Sequence, residues 1–144
     1  MTPEDLFDNW LEGAIHRPNQ VDEGGVHLTV GQVLTSHSRG RIDFGGSELK
    51  PSGLHPVETA EHSPTDRYGW WRLDAGTYIL RMNEKLKEGA PPMLLTSNER
   101  LLSCGCSIAP AVLTGGEIQT LLSVPKSGVN IKENARVALL TPLA

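Results

Sequence analysis

The first apolar positions of this chain fall on a helical period. Leu6, Phe7, Trp10, Leu11 and Ala14 recur at spacings of three and four, which lines one face of a helix. Thr2 is a capping residue type, Pro3 fits the first helical position, and Glu4 and Asp5 suit the positive end of the helix dipole. The pattern predicts a helix over Thr2–Ile15 that stops between Gly13 and Pro18. Its apolar stripe needs cover, from the rest of the chain or from a neighbouring subunit.

Beyond it the period changes to two. Val26, Leu28 and Val30 alternate with His27 and Thr29 between Gly24-Gly25 and Gly31, as in a half-buried strand. Ile42 and Phe44 alternate within Arg39–Glu48 and predict a second, short strand. Lys50–Asp66, rich in Pro, Ser, His and Glu, reads as a long loop. Trp70, Leu73 and Tyr78–Leu80 mark strands broken by the turn Asp74-Ala75-Gly76. The polar Asn83–Gly89 reads as a loop or short helical turn, Met93–Leu95 as a strand, and Asn98–Leu102 as a helical turn exposing Arg100. Cys104–Leu113 is small and apolar, with Pro110 inside it. Strands follow over Ile118–Val124, at Val129 and Ile131, and over Arg136–Leu140, separated by turns at Gly115-Gly116 and Lys126-Ser127-Gly128. Short strands with turn signals this frequent predict an all-β sandwich or barrel-like fold. We divide the chain into a helix over residues 1–18 and one β domain over 19–144.

Composition supports that reading. The 15 glycines and 10 prolines fit many turns, and 38% hydrophobic residues suit an ordinary globular core. A net charge of −4 gives no general attraction to nucleic acid or anionic membranes, although a few Arg, Lys or backbone N–H groups can still hold a small anion. No stretch of apolar residues is long enough to span a bilayer. The acidic start, Met-Thr-Pro-Glu-Asp, is unlike a secretory leader, so a cytoplasmic protein is expected. Cys104 and Cys106 would share one face of a strand, and a disulfide between them would be strained. His16, His27, His37, His55 and His62 stand too far off to complete a metal site, so two small buried thiols in a reducing compartment are expected. In Trp70-Trp71, alternation sends one ring to the core and the other to an interface.

Several stretches, in order, resemble the dUTPase and dCTP deaminase superfamily. Leu73-Asp74-Ala75-Gly76-Thr77-Tyr78-Ile79-Leu80 is similar to the family's Gly-x-Phe/Tyr-x-Leu strand, and Asn83-Glu84-Lys85-Leu86 to the Thr-x-Glu segment after it. Gly128–Leu140 resembles the late segment that ends Arg-Ile-Ala-Gln-Leu, and Gly25–Gly31 the early Ile-Asp-Leu-Arg-Leu-Gly strand. The resemblance implies a distorted jelly roll with one N-terminal helix, assembled as a homotrimer with nucleotide sites between subunits. It implies a pyrimidine deoxynucleoside triphosphate, dCTP or dUTP, as ligand. It also implies deamination at C4 of cytosine or attack on the α-phosphate, with Mg²⁺ carried by the phosphates.

The same resemblance locates the site. The family's Arg-Ser-Ser-Leu phosphate loop falls on Asn98-Glu99-Arg100-Leu101. A Ser hydroxyl donates to phosphate, whereas the Glu99 carboxylate repels it; Arg100 can pair with phosphate and Ser103 can supply a hydroxyl. The family's proton-transfer glutamate falls on Leu121, within Gly116-Glu117-Ile118-Gln119-Thr120-Leu121-Leu122, and leucine cannot move protons. Glu99 and Glu117 are therefore the candidate catalytic carboxylates. Asn98, Arg100, Ser103, Gln119 and His27, which stands where the family has Asp, are the candidate substrate-binding residues. Arg136 reads as structural. The glycine-rich tail that closes over the nucleotide in dUTPases would follow Leu140, where four residues remain. Three functions are carried forward: an active nucleotide enzyme, a binding protein without turnover, and a structural or regulatory trimer.

Overall fold

A computed structural model describes residues 1–143. The chain begins with α1 (Pro3–Trp10), β1 (Leu11–Glu12), α2 (Arg17–Gln20), β2 (Val21–Asp22) and the long β3 (Gly25–Ser36). It continues through β4 (Leu54–Pro56), β5 (Trp70–Leu73), β6 (Gly76–Leu86), β7 (Met93–Ser97) and α3 (Glu99–Ser103). It ends with β8 (Ser107–Ile108), β9 (Ala111–Leu113), β10 (Gly116–Val124), β11 (Val129–Lys132) and β12 (Arg136–Pro142). One curled sheet runs in the order β8-β10-β6-β3-β12-β7-β9, with β1 on β6 and with β2 and β4 on β3, while β5 and β11 pair separately. The predicted all-β class is what the chain adopts.

Strand β3 joins the two halves of the curl. Its first part, Val26–Thr29, pairs with β12, and its second, Val30–Leu34, pairs with β6 across an irregularity at Gly31. A Cβ on Gly31 would lie 2.5 Å from Asn83 Oδ1, so a larger residue there would push the Asn83 amide off its bonds to Thr29 and Asn134. Alternate residues of both halves meet in one core built on Val26, Leu28, Leu80, Met93, Leu95, Ile118, Leu122 and Leu140. On β10 the buried residues are Ile118, Thr120, Leu122 and Val124, which leaves Glu117, Gln119, Leu121 and Ser123 outward.

Helix α1 carries the expected cap: Thr2 Oγ1 accepts from Asp5 N, and Asp5 returns a bond to Thr2 N. It stops at Trp10, short of the predicted Ile15, because Leu11 and Glu12 pair with Leu86 and Lys85 of β6. Leu6 is fully buried, so the apolar stripe is covered by the chain's own core.

Three other expectations are corrected. Asn83–Gly89 is no loop at its start: β6 runs unbroken to Leu86, and Glu84 continues the inward row of Leu80 and Met82. Ile42 and Phe44 form no strand, only a tip closed by the Arg41–Lys50 bridge. No neighbour covers that tip, and the two side chains are 92% and 109% exposed. The cysteines lie on a helix end and a turn, not a strand: Cys104 is the exposed C-cap of α3, and only Cys106 is buried. Both are free thiols, and burial, then the nearby Cys104, pushes the Cys106 thiol upward. The tryptophans divide by face. Trp71 is in the core, its Nε1 donating to Val57 O at 2.9 Å, and Trp70 is half-buried on the other side.

Candidate functional site

Helix α3 stands at the open end of β7, and its flanks are chemically different. On one side a cleft of about 590 Å³ is lined by Asp22, His27, Asn98, Glu99 and Leu102, among others. At its base a hydrogen-bonded chain links three elements. Asn98 Oδ1 accepts from Arg100 N at 2.8 Å and so caps α3. That turns the Asn98 amide NH₂ toward His27 Nδ1, 2.8 Å away, which must then be the accepting nitrogen. His27 therefore donates from Nε2 to Asp22 Oδ2 at 2.6 Å. This bond is the main cause of an Asp22 carboxyl held below its ordinary value. Both ring nitrogens of His27 are occupied, which makes His27 a strut between the β2–β3 turn and α3, with no lone pair facing the cleft.

On the opposite flank a smaller pocket of about 230 Å³ is lined by Arg100 together with Trp70, Leu101, Ile131, Lys132 and Arg136. Consecutive residues of a short helix point to different sides, so Glu99 and Arg100 part company. Ser103 Oγ donates to Arg100 O at 2.7 Å and closes the last turn.

The other candidates sit elsewhere. Glu117 lies 3.5 Å from Lys85 Nζ on the outward face of β10. Gln119 Oε1 accepts from Arg81 Nε at 2.8 Å, beside Gln32 and Arg81 in a row across β3, β6 and β10. Leu121 is 49% exposed on the same face, opposite Ile79. Within one chain, then, His27, Asn98 and Glu99 converge, while Arg100, Glu117 and Gln119 are held apart from them.

Two participants were not predicted. Asp22 completes the His27 chain, and its Oδ1 accepts from Gly24 N at 2.8 Å; the Asp22-Glu23-Gly24-Gly25 turn was the available signal. The second is Glu84, fully buried and bonded through Thr29 to β3, the strand that carries His27. β3 pairs with β6 no further than Val30–Met82, and Glu84 takes over as acceptor for the amide that the ladder leaves free. It accepts from Thr29 N (3.0 Å), Thr29 Oγ1 (2.6 Å) and Gln20 Nε2 (2.8 Å). Gln20 Oε1 in turn accepts from Ile15 N and His16 N, and Asn83 Nδ2 donates to Thr29 Oγ1 and Asn134 Oδ1. Desolvation raises the Glu84 carboxyl above its ordinary value, with the Thr29 and Gln20 bonds opposing.

Among the described residues, no group of three or more His, Cys, Asp and Glu side chains is placed to hold a metal ion. Asp22, Glu23 and Glu99, the carboxylates that line the cleft, do not form such a cluster. No helix among the described residues is long and apolar enough to cross a membrane.

No family model matches the chain. The probable deoxyuridine 5'-triphosphate nucleotidohydrolase of Methanosarcina barkeri is 30% identical over 139 residues, covering 90% of this chain and 75% of that protein. The chain belongs to the dUTPase and dCTP deaminase superfamily. The corresponding protein of Methanosarcina mazei is 29% identical over 138 residues, with the same 90% and 75% coverage. Among solved structures, the 2'-deoxycytidine 5'-triphosphate deaminase of Agrobacterium tumefaciens superposes with a TM-score of 0.63 at 12% identity. The match covers 95% of this chain and 44% of that one, and it establishes the superfamily fold. The superfamily scaffold here thus carries Asn98-Glu99-Arg100 at the start of α3 and an outward Leu121 on β10.

Proposed function

We propose that this protein of pyrimidine deoxynucleotide metabolism binds dUTP or dCTP between the subunits of a homotrimer, with little or no turnover. The observation that carries the reading is Leu121, outward on β10, where the resemblance puts the superfamily's glutamate. Glu117, four residues earlier on the same face, is already matched with Lys85. The turn between β9 and β10, Thr114-Gly115, brings no carboxylate either. A ligand site completed by a second chain is in keeping with candidates divided over separate surfaces. The uncovered Ile42 and Phe44, two large apolar side chains on one tip, are in keeping with assembly. Mg²⁺ enters with the triphosphate. Two free cysteines suit a reducing cytoplasm.

A second reading is favoured by Glu99, a cleft carboxylate with no hydrogen-bond or ion-pair partner among the described residues. In an active enzyme it is the residue placed to accept a proton from water. One experiment separates the two. The purified protein is incubated with dUTP and with dCTP in Mg²⁺, ammonia and pyrophosphate are assayed, and binding is titrated calorimetrically. Binding without product is expected. Product from either nucleotide, lost in Glu99→Gln, would establish the second reading, and absence of binding to both would sink both. Light scattering should give a trimer mass for the wild type, and a monomer mass would refute the assembly.

A further inference from the structure

The flank of α3 away from the cleft gathers basic side chains round an apolar floor. Only 13 residues of this net-negative chain are Lys or Arg. Three of them, Arg100, Lys132 and Arg136, line one pocket with no carboxylate among its lining residues. None of the three has an ion-pair partner within 4 Å among the described residues. The adjacent Glu133 accepts from Gly69 N at 2.7 Å, and Glu99 lines the cleft instead of this pocket. Arg136 spends one nitrogen on Asn19 O at 2.6 Å. Lys132 Nζ stands 5.4 Å from the centre of the Trp70 ring, a weak attraction that an anion would outcompete.

The floor of the pocket is apolar, made by Leu101, Ile131 and Val137, all buried. Trp70 forms a wall and is held in place by His62, stacked on it at 4.7 Å and 4°. Like-charged side chains gathered round an apolar floor repel one another, and a bound anion relieves that repulsion. At about 230 Å³ the space admits one ring with its substituent and is smaller than a site for a drug-sized molecule.

We infer that this pocket is a second ligand site, for a small organic anion: one aromatic ring on the Trp70 wall and apolar floor, with a phosphate or carboxylate group on Arg100, Lys132 and Arg136. Recognition needs both halves. The ring supplies apolar burial, and the head group supplies charge-assisted hydrogen bonds, most of all from the two guanidinium groups.

The test uses the full chain labelled with ¹⁵N, the Trp70 indole resonance being assigned with Trp70→Phe. Phenyl phosphate, benzoate, inorganic phosphate and benzyl alcohol are titrated separately at millimolar concentration. Phenyl phosphate or benzoate should shift the Trp70 indole and the Val129–Val137 amides saturably, and the stronger of the two identifies the head group. Inorganic phosphate and benzyl alcohol should each bind at least about tenfold more weakly. Arg100→Ala and Lys132→Ala should each weaken the aromatic anion by about tenfold. Both side chains lie at the surface of the pocket, and an unchanged spectrum elsewhere shows that the variants fold. The inference is overturned if neither aromatic anion moves these resonances, if a half-ligand binds as well as the whole, or if the two variants bind as the wild type does. Because no nucleotide is used, the outcome is independent of whether dUTP or dCTP binds at the cleft.

Discussion

Glu84 is where a single substitution should cost most. The carboxyl group is 0% exposed and accepts three bonds, two from the amide and hydroxyl of Thr29 and one from Gln20. Glu84→Ala leaves Thr29 N, the Thr29 hydroxyl and one Gln20 N–H without their acceptor in the interior and opens a cavity. Each orphaned donor costs about 1–3 kcal/mol, so the total should be about 3–5 kcal/mol. That is a large share of the roughly 5–15 kcal/mol typical of a domain. Glu84→Gln keeps the volume but can offer only one oxygen. With that oxygen at the Oε2 position, the new NH₂ faces Thr29 N and one bond is lost, for about 1–2 kcal/mol.

The pH dependence adds an independent check. Burial raises the folded-state Glu84 carboxyl above its ordinary 4.5, so its contribution to stability is fully present below that value. It is lost as pH rises through the folded value. Glutamine does not titrate. The stability advantage of wild type over Glu84→Gln should therefore shrink from acid toward neutral pH. Urea unfolding across that range, with equal m-values confirming comparable unfolding, measures both quantities. An alanine cost below about 1 kcal/mol, or an advantage that grows with pH, would refute the account of Glu84 as a buried acceptor replacing a strand ladder.

Three further outcomes follow from the cleft and the outward face. Asn98→Ala removes the α3 cap and the His27 bond together and should cost about 1–2 kcal/mol in thermal or urea unfolding, whereas Glu99→Ala should be nearly neutral. The Asp22 carboxyl is held down by His27, so its contribution is present above the ordinary carboxylate value and lost as pH falls through the folded one. Since Asp22 is largely solvated, Asp22→Asn should flatten the acid limb of the stability profile by less than about 1 kcal/mol. Leu121→Glu places a carboxylate on the half-exposed face and should change the stability of the single chain by no more than about 0.5 kcal/mol; a larger loss on unfolding would mean that Leu121 is covered.

What could be foreseen from the chain divides along physical lines. Framework strands such as Val26–Val30 and Ile118–Val124 declare themselves because one face must be apolar, and parity alone places Leu121 outward. The same reasoning failed at Asn83–Leu86, since it equates polar with exposed. Glu84 holds the inward parity of Leu80 and Met82, and its burial depends on donors from residues 20 and 29 that no local pattern reveals. It failed in the opposite sense at Ile42 and Phe44, where alternation is present but the single chain provides nothing to cover them. The site is the harder case. Asp22, His27 and Asn98 meet because β12 lies between β3 and β7 in the sheet, a consequence of strand order that motif spacing does not encode. Splitting Glu99 from Arg100 depends on the rotation of a five-residue helix, which the Asn98 cap sets. One residue therefore fixes which charge faces the cleft and which faces the Trp70 pocket. Loss of that cap should disturb both flanks of α3 at once.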